Sequence, residues 1–288
     1  MEVRILRLSE SFIGGAPGES LAPHSSLEPF LELVDQAARS DILKYRFLGD
    51  ARRCLLGRML LAATLSERCE LPFRSISYDK SSRGRPYAVH PSFPTRNTFP
   101  IDFNVSHDSD LVGVATIPKG QVGDCRVGID LMKIRNPWEG TTIAEFIEGI
   151  SEQLTPTERT KIASLSSEES KLSHVLALWT LKEAYVKATG EGLHCDLSQL
   201  ELDLDLDLAG TDRIGKASFE GVPLVQWEFD LVQLEEGGTG EKYFLAVARN
   251  RLKDGEGGVR MLRRKPGWLE FVDFEGLVDK LRSDERNE

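Results

Sequence analysis

The sequence predicts an α+β protein made of two loosely related halves that meet near Asp130. Three observations carry that expectation. Apolar residues alternate in some segments and recur every three or four positions in others, as strands and helices require. The order strand, helices, strands is followed by helices and strands again, with no repeat in the residues themselves. The 288 residues suffice for two modest lobes with their own cores.

In chain order, MEVRILRLSE sets Val3, Ile5, Leu6 and Leu8 among Arg4 and Arg7 and reads as a short strand. SESFIGGAPGES is a Gly/Ser-rich loop, and SSLEPFLELVDQAARS reads as a helix. A longer helix is expected over Leu43 to Glu67, with Arg46 and Arg53 seven residues apart on one side. From Ile76 the pattern becomes β. ISYDKSSRGRPYAV gives two short extended pieces around SSRG, and IDFNVSH, LVGVATI and VGIDLMKI give three strands.

Helices follow in TTIAEFIEGI, from Pro156 with Thr155 as N-cap, and from Lys171 to Thr189. LELDLDLDLAG alternates Leu with Glu201, Asp203, Asp205 and Asp207, a solvated sheet face or a cation-binding row. VPLVQWEFDLVQL, the turn EEGGTGE and KYFLAVARN form a hairpin. GWLEFVDFEGLVDKL is compatible with a terminal helix. The division expected is 1–126, 127–250 and a charged extension, 251–288.

Composition narrows the function classes. No apolar run reaches the roughly 18–20 residues of a membrane span, and the first residues lack a signal-peptide core, so a cytoplasmic protein is expected. Cys54, Cys69, Cys125 and Cys195 are scattered as free thiols would be; a zinc site with His194 lacks paired-ligand spacing. A net charge of −10 argues against nucleic-acid binding. Yet Asp41 to His90 carries ten basic and five acidic side chains, an island suited to a small polyanion or simply a basic helix surface.

Four stretches bear chemistry. In WTLKEAYVKATG, Glu183 and Lys187 sit between two apolar arcs of a helix, so their strip is expected to face a cleft, although an exposed i, i+4 pair reads the same way. Lys182 points elsewhere, as a surface charge. FNVSHDSD places Asn104, Ser106 and His107 at a strand end, as donors to a phosphate; consecutive residues cannot form a hydrolytic triad, and no G-x-S-x-G elbow exists. KSSRGRPY offers Lys80, Arg83 and Arg85 around Gly84, where backbone and guanidinium forks approach phosphate oxygens. VGIDLMKI puts Asp130 on a strand; a second carboxylate, Glu183, would complete the protein's share of a Mg²⁺ site.

G-I-D followed some fifty residues later by W-T-L-K-E-A-Y-V-K resembles the signature pair of the stand-alone, surfactin-type 4′-phosphopantetheinyl transferases. FNVSH, GRP and LELDL fall where that family is similar, and the resemblance spans roughly Leu43 to Arg249. It implies two pseudo-symmetric α+β lobes with coenzyme A in the cleft between them. By similarity Asp130 and Glu183 would hold Mg²⁺ and Lys187 would touch phosphates. Ser106 and His107 would hold phosphate groups of coenzyme A, and Lys80 through Arg85 would form a nucleotide-binding turn.

Two departures stand out. Met132 replaces the second acid of many bacterial members, as in the longer eukaryotic type, leaving water or Asp108 as third ligand. Gly49 stands where the family has a basic residue, leaving Arg46, Arg52 or Arg53 to substitute.

The resemblance implies Mg²⁺-dependent transfer of the 4′-phosphopantetheine arm to a serine of an apo carrier protein of acyl, peptidyl or aminoadipate-reductase type. Glu183 is the expected base, and a monomer is the simplest assembly. A non-catalytic coenzyme A or carrier-binding module would instead show nucleotide-dependent stabilisation without turnover. A phosphohydrolase would release phosphate products without any carrier.

Overall fold

A computed structural model describes residues 1–8, 26–119, 125–206, 214–235, 240–250, 258–262 and 265–286. The chain divides into two compact units: Met1–Gly120 with Gly267–Glu288, and Gln121–Pro266. The expected loop SESFIGGAPGES, Asp207 and the centre of the turn EEGGTGE lie outside the described residues.

The first unit starts with strand β1 (Glu2–Arg7) and helices α1 (Glu28–Leu31), α2 (Gln36–Ile42) and α3 (Leu48–Cys69). It continues through strands β2 (Ser77–Lys80), β3 (Pro86–Val89), β4 (Ile101–Asp108) and β5 (Leu111–Pro118). The single helix expected over SSLEPFLELVDQAARS is broken, because the Asp35 carboxylate accepts the Ala38 N–H at 2.9 Å and starts a new helix. Leu43 to Phe47 are not helical either. Lys44 and Tyr45 N–H groups bond back to Asp41 and Ile42 to finish α2, so Arg46 does not share the α3 face with Arg53.

The main sheet runs β14-β1-β5-β4, where β14 is Leu269–Val272. Residues expected to form a separate extension thus complete this unit. β14 pairs parallel with β1, and α7 (Phe274–Arg286) adds Leu277, Val278 and Leu281 to the core of Leu55, Met59, Phe103 and Val112. β2 and β3 form a separate hairpin.

The second unit contains β6 (Val127–Lys133), α4 (Ile143–Gly149), α5 (Pro156–Ala163), α6 (Glu168–Thr189) and β7 (Leu200–Leu202). β8 (Ile214–Gly215), β9 (Ala217–Phe219), β10 (Val222–Pro223), β11 (Trp227–Glu235), β12 (Lys242–Asn250) and β13 (Gly258–Leu262) complete it. Its sheets run β6-β12-β11-β13-β8 and β10-β9-β7.

Helix ends follow from side-chain chemistry. Thr142–Glu145 and Thr155–Glu158 form capping boxes, Ser167 caps α6, and Gly190 ends it in the left-handed region at φ 73°. The α6 residues Leu178, Leu181 and Ala184 pack with Phe229, Phe244 and Ala246. The Leu/acid alternation after Gln199 persists in burial as far as Leu204, but only three residues form a strand. Among the described residues, no group of three His, Cys, Asp or Glu is placed to hold a metal.

Candidate active site

β6 alternates as its sequence demands. Val127, Ile129 and Leu131 are buried on one face, while Gly128, Asp130 and Met132 occupy the other. Gly128 lies against α6: an added Cβ would collide with the Ala184 carbonyl and sit 2.5 Å from the Ala188 nitrogen. That close approach brings Asp130, 8% exposed, beside the helix. Lys187 Nζ donates to Asp130 Oδ1 at 2.6 Å. Burial, and then the Asp130 carboxylate, push Glu183 above its ordinary range, and Lys187 pulls it partly back. The structure therefore brings Asp130, Glu183 and Lys187 together.

Lys182 departs from the sequence reading. It is fully buried and ion-pairs with Glu158 Oε2 at 2.6 Å, so it is an internal charge rather than a surface one. The capping box around Glu158 was legible in TPTE, but nothing local announces its lysine partner 24 residues away.

In the first unit, the SSRG turn closes through Gly84 N–H to the Ser81 carbonyl at 2.8 Å, with Gly84 at φ 82° and open space at its Cβ position. Lys80 and Arg83 are exposed. Arg85 is a correction to the phosphate-binding set. Its guanidinium is buried and bound in fork geometry to Asp102 Oδ1 at 2.8 Å and Oδ2 at 2.7 Å, and so is committed to a carboxylate.

Asp102, Asn104 and Ser106 are buried at alternate positions of β4, whereas His107 is exposed. Sequence reasoning missed Asp102, although the alternation that marked Asn104 and Ser106 extends to it. Of the candidate substitutes for a basic residue at Gly49, Arg53 bonds Asp50 at 2.5 Å and the Ser109 carbonyl at 3.3 Å. Arg46 lies over the Phe47 ring at 5.5 Å, and Arg52 is half-buried.

The donor chemistry of Asp130 and Glu183 fits Mg²⁺: hard carboxylate oxygens, mutually repulsive, that supply one or two ligands and leave the others to water and phosphate.

Fold and site together define a class of protein: two α+β units, one gathering two carboxylates and an ammonium where a strand meets a long helix. The model described as 4′-phosphopantetheinyl transferase, N-terminal, matches residues 22–119. The 4′-phosphopantetheinyl transferase superfamily model matches residues 126–248.

The chain is 30% identical over 237 residues to the L-aminoadipate-semialdehyde dehydrogenase-phosphopantetheinyl transferase of Rattus norvegicus, covering 81% of this chain and 70% of that one. It is 28% identical over 262 residues to a phosphopantetheinyl transferase of Thraustochytrium, covering 89% and 85%. Against the 4′-phosphopantetheinyl transferase psf-1 of Bacillus pumilus it is 30% identical over 189 residues, covering 65% and 70%. The chain belongs to the 4′-phosphopantetheinyl transferase superfamily.

Proposed function

We propose that this transferase moves the 4′-phosphopantetheine arm of coenzyme A onto a serine hydroxyl of an apo carrier protein, releasing adenosine 3′,5′-bisphosphate. The observation that carries the site assignment is the half-buried Glu183 held beside Asp130, with Lys187 on the same carboxylate, inside the segment that matches the superfamily model.

The serine oxygen attacks the phosphorus that bears the pantetheine, and the bond from that phosphorus to the bridging oxygen breaks. Glu183 is the residue placed to take the serine proton. Lys187, one helical turn further, holds the negative charge of the departing phosphate. Asp130 and Glu183 are the residues that would hold Mg²⁺, which when bound neutralises charge on the pyrophosphate. Lys80, Arg83, Ser106 and His107 are assigned to coenzyme A phosphates, with Gly84 letting the backbone approach and Asn104 and Arg52 in support. The carrier class follows the rat relative's name: a carrier domain of aminoadipate-reductase type is the first to try, before acyl and peptidyl carriers.

The test is mass gain of purified apo carriers incubated with the chain, coenzyme A and Mg²⁺. Loss of general-base help in Glu183→Gln is expected to lower kcat by about 10²–10⁴-fold. Full activity in that variant would remove Glu183 from both roles.

A further inference from the structure

Lys182, immediately before Glu183 on α6, has acceptors for all three ammonium protons. They are Glu158 Oε2 at 2.6 Å, the Leu197 carbonyl at 2.9 Å and the Gln153 carbonyl at 3.0 Å. Glu158 is equally engaged. Its Oε2 also accepts the Thr155 N–H at 2.9 Å, and its Oε1 accepts the Leu202 N–H at 3.1 Å. One ion pair therefore ties α6 to the Ser151–Gln153 turn, the α5 cap, the Leu197–Gln199 turn and β7.

Stability alone is a poor reason for such a pair. Desolvating two charges is costly, and apolar residues of similar volume often serve as well or better. What apolar packing does not supply is a directional lock. Contact with Gly128 sets how closely α6 approaches β6, but a residue without a side chain offers little to resist rotation or sliding of the helix. The Lys182 ammonium, fixed to three acceptors on three segments, resists both. The stakes follow from geometry. A rotation of about 10° at a helix radius of ~6 Å carries the Glu183 carboxylate ~1 Å. A misplacement of that size lowers rates by about 10²-fold.

We propose that the Lys182–Glu158 pair is a positioning device that fixes the rotation and height of α6, so that Glu183 and Lys187 stand against Asp130. The inference rests on the transfer reading above. Both side chains are buried against each other and closed to solvent, so they act as positioning residues.

The test uses the full chain carrying Lys182→Met with Glu158→Leu, which removes both charges while keeping apolar volume. Thermal midpoint, calorimetric binding of coenzyme A with Mg²⁺, kcat and both KM values are measured well below the melting transition. The expected result is a folded protein with an unchanged KM for the carrier, weakened coenzyme A binding and a kcat lower by about 30–100-fold. A folded double variant with wild-type kcat and coenzyme A affinity overturns the proposal. If the double variant does not fold, Lys182→Met alone, which removes the ammonium and all three of its bonds, is read in the same way, and an unchanged kcat in that folded protein is equally fatal. Absence of transfer by the wild-type chain on every carrier would instead sink the transfer reading, and the positioning role with it.

Discussion

Arg83 and Arg85 stand two positions apart in one turn and have opposite fates. Arg83 is exposed to solvent, while Arg85 reaches inward to a bidentate partner on β4. Arg83→Ala is expected to raise KM for coenzyme A with little change in melting temperature. Arg85→Ala leaves Asp102 charged and buried, and should cost about 3–5 kcal/mol of stability in chemical denaturation. The sequence showed both arginines as equal phosphate donors because composition and spacing report charge but not its partner. The same blindness made Lys182 look like a surface residue. Asp130, Glu183 and Lys187 could be placed because each lies inside a regular strand or helix, where the facing direction follows from residue number.

At the scale of elements, the contact of α6 with β6 at Gly128 sets the spacing between Asp130 and the Glu183 and Lys187 side chains. Gly128→Ala forces the helix away from the strand. It is expected to destabilise by about 1–3 kcal/mol and to lower kcat in the protein that remains folded, measured by denaturation and by arm transfer.

The other long helix, α3, is fastened to the C-terminal segment by charge. Glu67 receives Arg4 of β1 and Lys280 of α7, and these hold its carboxyl down to about 2, Arg4 having the larger effect. A depressed carboxyl contributes stability above its unfolded value and loses it as pH falls. Hydrogen-exchange protection of α7 is therefore expected to hold down to pH about 4.5 and to decline towards pH 2. The break at Asp35 and the late start of α3 were hidden, since apolar spacing continues across a junction that only capping bonds reveal.

For the whole molecule, charge is distributed by segment. An acidic protein of net −10 carries a basic excess between Asp41 and His90, a stretch that lies within the first unit. Added salt should raise KM for coenzyme A severalfold as the Debye length shrinks from ~10 Å at 0.1 M, with a smaller effect on kcat. Titration of initial rates with potassium chloride checks this. The two-unit plan could be read from the alternation of periods, but the membership of residues 267–288 could not. Parallel pairing of β14 with β1 joins residues more than 260 positions apart, and such a partnership leaves no local mark. It also sets an order of events during synthesis. The second unit is one continuous stretch, complete once residue 266 has left the ribosome, whereas the first still lacks an edge strand and the helix that closes its core. The half made first is thus the half finished last, and until then the apolar flank of α3 that α7 will cover stands open to a chaperone.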